Sequence, residues 1–194
     1  MSRVTSAKVT GQQAKKNIIQ TAREFFSEYG YLGASMSDLA AKLNMTQAGL
    51  YYHFAGKAEI FKTVLDEAFA ELSQALTEAK SEQTAEKKLE KLIKAYLQFG
   101  AREKNLTKAL VLKLAPCDAK IMEHIVELRR QLLDLIQPVI EEVLASKKID
   151  KPVDSRTYTL LLTGMMDGLL LEYSIFKQKV EPEAVGGAIV AAMF

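Results

Sequence analysis

Cysteine, histidine, proline and tryptophan are nearly missing from this chain. Of its 194 residues one is Cys (Cys117), two are His (His53 and His124), four are Pro and none is Trp. A single cysteine excludes a disulfide within the chain, and with so little Cys and His no zinc-type cluster can be spaced out; no metal and no cofactor are expected. Cys117, between Pro116 and Asp118, reads as a small apolar filler. A Gly-rich phosphate loop and a G-x-S-x-G nucleophile motif are absent too, and no acid–base pair has catalytic spacing, so the chain is not expected to be an enzyme.

Long apolar runs are also lacking. The start, MSRVTSAKVTGQQAKK, has no signal-type apolar core. The most apolar stretch, Leu160 to Leu171, is broken by Thr163, Gly164, Asp167 and Gly168, which argues against a membrane span. With the single cysteine, this fits a protein of the reducing cytoplasm.

What is present is helix-forming. Ala, Leu, Glu and Lys dominate, strand alternation is not found, and the fold class expected is all-α. Ile18, Ile19, Ala22, Phe25, Phe26 and Tyr29 form one wide apolar stripe, with Gly30 as its stop. Ser35 and Asp38 are spaced to cap a short helix carrying Met36, Leu39, Ala40 and Leu43. Asn44 suits a turn, and Thr46 a cap for a third helix to about His53. A long fourth helix is predicted from Lys57 to Ala79. Further helices are predicted around residues 89–97 and 105–114, over 121–143 with Pro138 as a candidate kink, over 158–179, and from Pro182 to the end.

The small net charge of +2 hides an asymmetry. Residues 1–62 hold eight Lys and Arg against four acids, while the remainder holds 18 against 20. A basic end on a near-neutral body points to a polyanion partner.

Two short helices joined by a tight turn have the dimensions of a helix-turn-helix. The second would offer its N-terminal end to a major groove. Gln47 has the amide that can read adenine, Ala48 and Gly49 let the backbone approach, and Tyr51, Tyr52, His53 and Lys57 suit phosphate oxygens. Three plainer readings stand beside these: Tyr51 as a core residue, His53 as a plain surface residue, and Gln47 as a water-facing one.

The run SMSDLAAKLNMTQAGLYYHFAGKAEIF, preceded by IIQTAREFFSEYGYLGA, closely resembles the N-terminal domain of the TetR/AcrR family of bacterial repressors. Its most specific part is the aromatic end Leu50-Tyr51-Tyr52-His53-Phe54, followed by Lys57 and by Ile60-Phe61. Ala58 departs from the family, many of whose members carry an acid there. The resemblance implies about nine helices, a homodimer on a palindromic double-stranded DNA operator, and a small-molecule effector that releases the DNA. It implies DNA contacts at Thr46, Gln47, Ala48, Gly49, Tyr51, Tyr52, His53 and Lys57. The division expected is a flexible basic arm over residues 1–13, a DNA-binding domain over 14–62, and an effector-binding and dimerisation domain over 63–194.

In that last domain Tyr96, Phe99, Leu110, Met122, Met165, Met166, Asp167 and Tyr173 are the candidate pocket residues, chosen by type. Their apolar character predicts a hydrophobic or amphipathic effector. Gly164 and Gly168 share one helix face and suit a dimer seam or intrachain packing. Asp167 sits alone in an apolar stretch, so it needs a partner: a ligand group, a backbone amide or a residue across the dimer. A helical adaptor acting through a protein partner is the alternative function, and an enzyme using Asp167, His124 or Cys117 a third.

Overall fold

In the computed structural model the described residues are 2–103, 106, 118–147, 153–175 and 181–194, with backbone alone for 2–10 and 175. Among them lie eight helices and no strand: α1 (Ser2–Gly33), α2 (Met36–Lys42), α3 (Gln47–His53), α4 (Lys57–Ala79), α5 (Ala85–Arg102), α6 (Ala119–Lys147), α7 (Ser155–Ile175) and α8 (Pro182–Met193). The predicted helix over residues 105–114 falls outside the described residues apart from Leu106, and so do Leu110 and Cys117.

The helices group into two compact units. One runs to Ala68 and takes in the start of α6 up to Met122; the other comprises Phe69–Leu114 and Glu123–Phe194. The first is built on the predicted stripe: Ile18, Ile19, Ala22, Phe25 and Phe26 are buried with Leu39, Leu50, Ile60 and Phe61. Phe26 meets Phe61 edge-on at 4.9 Å. Gly30 adopts φ 70°, a conformation open to glycine, and turns the chain before a last short stretch of α1. The helix begins at Ser2, so it takes in residues 2–13, which the sequence suggested as an arm. No proline interrupts that segment.

The second unit is centred on α5, which packs against α7 and α8. Two glycines permit the approach. A Cβ at Gly100 would collide with the Leu170 side chain, and one at Gly186 would lie 3.2 Å from the Glu90 carbonyl oxygen. The helix α6 continues through Pro138, the candidate kink. No helix among the described residues is long and apolar enough to cross a membrane.

Candidate nucleic-acid interface and effector site

The turn between α2 and α3 is made by backbone chemistry. Asn44 takes φ 54°, the left-handed region that Asn tolerates better than most residues. The Met45 N–H donates to Ala40 O at 2.9 Å and the Asn44 N–H to Ala41 O at 3.0 Å, the bond pair of a Schellman cap. Ser35 caps α2 as predicted from one side: its Oγ accepts from the Asp38 amide at 3.1 Å. The return bond differs from the expected box. The Asp38 carboxylate accepts the Ser35 hydroxyl at 2.5 Å instead of the Ser35 backbone amide.

Thr46 caps α3, its Oγ1 accepting from the Gly49 amide at 3.0 Å. The absent side chain of Gly49 serves this cap, since a Cβ there would stand 3.2 Å from the Thr46 hydroxyl. Leu50 and Phe54 are buried and anchor the helix. Its outer face then carries Gln47, Ala48, Tyr51 and Tyr52, all exposed. Tyr51 is 48% exposed and Tyr52 86%, so the reading of Tyr51 as a core residue fails. Two large aromatic rings at a surface lose apolar burial, which makes them informative about a partner. His53 is half-buried and packs edge-on to Tyr52 at 5.2 Å.

Lys57 is placed differently from its predicted neighbours. Its Nζ donates to Tyr31 O and Ala34 O, each at 2.9 Å, and sits 4.4 Å from the centre of the Tyr31 ring. The ammonium thus closes carbonyls at the end of α1 and ties them to the start of α4. Glu59 completes that corner by accepting the Ala55 amide at 2.6 Å.

In the second unit Asp167 finds its partners within the chain. Its Oδ1 accepts the Tyr96 hydroxyl at 2.5 Å, and its Oδ2 accepts Arg129 Nη2 at 2.6 Å. Arg129 Nη1 lies 3.4 Å from the Tyr96 oxygen. The triad joins α5, α6 and α7. Both carboxylate oxygens are satisfied, which is what a buried carboxylate requires. Burial, then the adjacent Asp167 charge, push the Tyr96 phenol well above its ordinary pKa. Selection by residue type misses Arg129, although a signal for it exists in the sequence. It stands four residues after Ile125 and three before Leu132, a cation within the apolar stripe of α6.

Of the other candidate pocket residues, Phe99 and Met166 are buried, while Met122 and Tyr173 are half-buried. Met165 faces outward instead and lines an apolar groove with Gly168, Leu169, Val185, Ala188 and Ala192 of α7 and α8. Helical periodicity separates Met165 from Met166 by a quarter turn or more, so one is inside and the other out. No group of three His, Cys, Asp or Glu residues suited to a metal occurs among the described residues. Among the described residues, Gly164 and Gly168 are exposed, with nothing within 4 Å of where a side chain would begin.

Residues 18–64 match the family described as bacterial regulatory proteins, tetR family, and residues 82–171 match a tetracyclin repressor-like C-terminal domain. The fatty acid metabolism regulator protein of Bacillus subtilis (strain 168) is 22% identical over 174 residues, 89% of this chain and 90% of that protein. Among solved structures, the transcriptional regulator FadR from Bacillus subtilis in complex with stearoyl-CoA superposes with a TM-score of 0.77 at 22% identity, covering 91% of this chain and 95% of the other. AibR in complex with isovaleryl coenzyme A and operator DNA gives 0.73 at 19% identity, covering 93% and 97%.

Proposed function

Since the chain belongs to the TetR family of bacterial regulatory proteins, a DNA-binding transcriptional regulator, we propose that it represses transcription as a dimer on a palindromic operator and is released by an amphipathic small molecule. The observation that carries the DNA half is the outer face of α3. A capped helix seven residues long presents Gln47, Ala48, Tyr51 and Tyr52 to the outside while Leu50 and Phe54 hold it down. In this reading Gln47 contacts base edges, Ala48 lets the helix sit deep, and Tyr51, Tyr52 and His53 donate to phosphates. Thr46 and Gly49 set the helix start, and Lys57 positions α1 against α4.

Dimerisation is assigned to the outer face of α7 and α8. Leu160, Leu161 and Met165 are exposed there beside Gly164 and Gly168, a concentration of apolar surface that water disfavours. Small residues let a second helix pair approach closely.

The effector is assigned to the interior of the second unit around Tyr96, Phe99, Met166 and Asp167. The two similar structures described above hold stearoyl-CoA and isovaleryl coenzyme A, so an acyl-CoA is the first effector to test. No chemistry is assigned to His124 or Asp167, and the site of action is the cytoplasm. Footprinting on DNA flanking the coding sequence tests the reading. Protection of two major-groove segments about one helical turn apart is expected, weakened by Gln47→Ala. A folded dimer that protects nothing at low salt overturns it.

A further inference from the structure

The helix α1 carries five basic residues, Arg3, Lys8, Lys15, Lys16 and Arg23, before the first acid of the chain, Glu24. Lys15 and Lys16 are exposed. The Lys15 ammonium lies 5.3 Å from the centre of the Phe54 ring, and Phe54 is the residue that closes α3. Lys15 stands four residues before Ile19 and seven before Ala22, both buried. It therefore continues, one turn earlier, the face of α1 that packs into the first unit. At that point the apolar stripe ends and a cation takes its place beside the recognition helix.

Several lysines elsewhere are engaged: Lys42 pairs with Glu28, and Lys88, Lys91, Lys94 and Lys147 of the second unit pair with Glu142, Glu82, Glu183 and Glu86. Among the described residues neither Lys15 nor Lys16 is ion-paired. Lys57, the cation expected to hold a phosphate near α3, is occupied by two carbonyls and a ring.

We propose that Lys15, supported by Lys16, is a further DNA-positioning residue: α1 lays a cation on a backbone phosphate of the duplex read by α3. The Lys15 ammonium sits over the Phe54 ring on an exposed side chain, so it is held beside α3 and is still open to a phosphate. The interaction is electrostatic and carries no base preference. Duplex DNA is the partner favoured, because the cation adjoins the helix whose exposed face is assigned to the major groove.

The test is the salt dependence of binding to a mixed-sequence duplex, measured by fluorescence anisotropy on the full-length protein. For every phosphate no longer neutralised, the negative slope of log K against log salt should become shallower by about 0.9. Lys15→Gln removes one such contact from each subunit of the dimer, so it is expected to make the slope shallower by about 1.8 and to weaken binding several-fold at low salt, with Lys15→Arg preserving both. Lys147→Gln, an equal change of charge in the second unit, should leave the slope in place. An unchanged slope in Lys15→Gln, with helicity by circular dichroism also unchanged, overturns the proposal. So does an equal drop in Lys147→Gln, which would make net charge the cause. Absence of a footprint in the wild type would instead count against the operator reading itself.

Discussion

Two charged side chains organise parts of this protein that apolar packing alone leaves open. Asp167 would be a costly residue to bury unpaired; Arg129 and Tyr96 satisfy it from two other helices. Replacing Arg129 by Met should strand the carboxylate and cost about 3 kcal/mol, the low end for a buried pair because the guanidinium is partly open to water. Combining Arg129→Met with Asp167→Leu should recover much of that loss. Urea unfolding of the four species tests it, and additive losses would show that the pair is not coupled. At the surface, Glu127 is held down to about 2 by hydrogen bonds from Arg130 and then Gln131. A depressed carboxylate stabilises the fold above its unfolded pKa, and that contribution fades as pH falls from 4.5 toward 2. Glu127→Gln should therefore lower stability slightly at neutral pH, and the difference from the wild type should vanish as pH falls from 4.5 toward 2, which flattens the acid side of the profile; thermal melts across pH measure it.

At the level of elements, the short helices depend on their ends. A seven-residue helix is not stable by propensity, so α3 relies on its cap, its buried Leu50 and its preceding turn. Thr46→Ala should cost about 1 kcal/mol and loosen DNA binding with it. Asn44→Gly should be nearly neutral and Asn44→Ala should cost about 1 kcal/mol, because only the second forces a Cβ into the left-handed region without a side chain able to bond locally. If both melt alike, the turn is not held by its φ. Lys57 belongs at this scale too. Its two carbonyl bonds join the end of α1 to the start of α4, so Lys57→Met should lower the melting temperature as well as DNA affinity. A loss of affinity at unchanged stability would return Lys57 to the phosphate role that the motif implies.

Across the whole molecule, the uncovered surface of α7 and α8 matters most. The exposed Leu160, Leu161 and Met165 beside Gly164 and Gly168 form the face assigned to a second copy. Gly168→Glu should put a charge in that face and shift the protein toward monomer in analytical ultracentrifugation, with operator affinity falling as the second recognition helix is lost. A stable dimer in that variant would move the interface elsewhere.

Much of this is legible along the chain because helices are local objects. The stripe from Ile18 to Phe26, the caps at Ser35 and Thr46, the stop at Gly30 and the turn at Asn44 all follow from spacings of a few residues, and the aromatic end of α3 identifies the kind of head. Tertiary structure decides what depends on distant partners. Nothing near Asp167 in sequence names Tyr96 and Arg129, which are 71 and 38 residues away. Nor does the motif around Lys57 reveal that carbonyls 26 and 23 residues earlier take up its ammonium. The split between buried Met166 and outward Met165 is likewise set by which faces of α7 its neighbours cover. Periodicity reports that a face exists; only packing reports what lies against it, because side-chain contacts form between residues whose separation along the chain carries no physical signal.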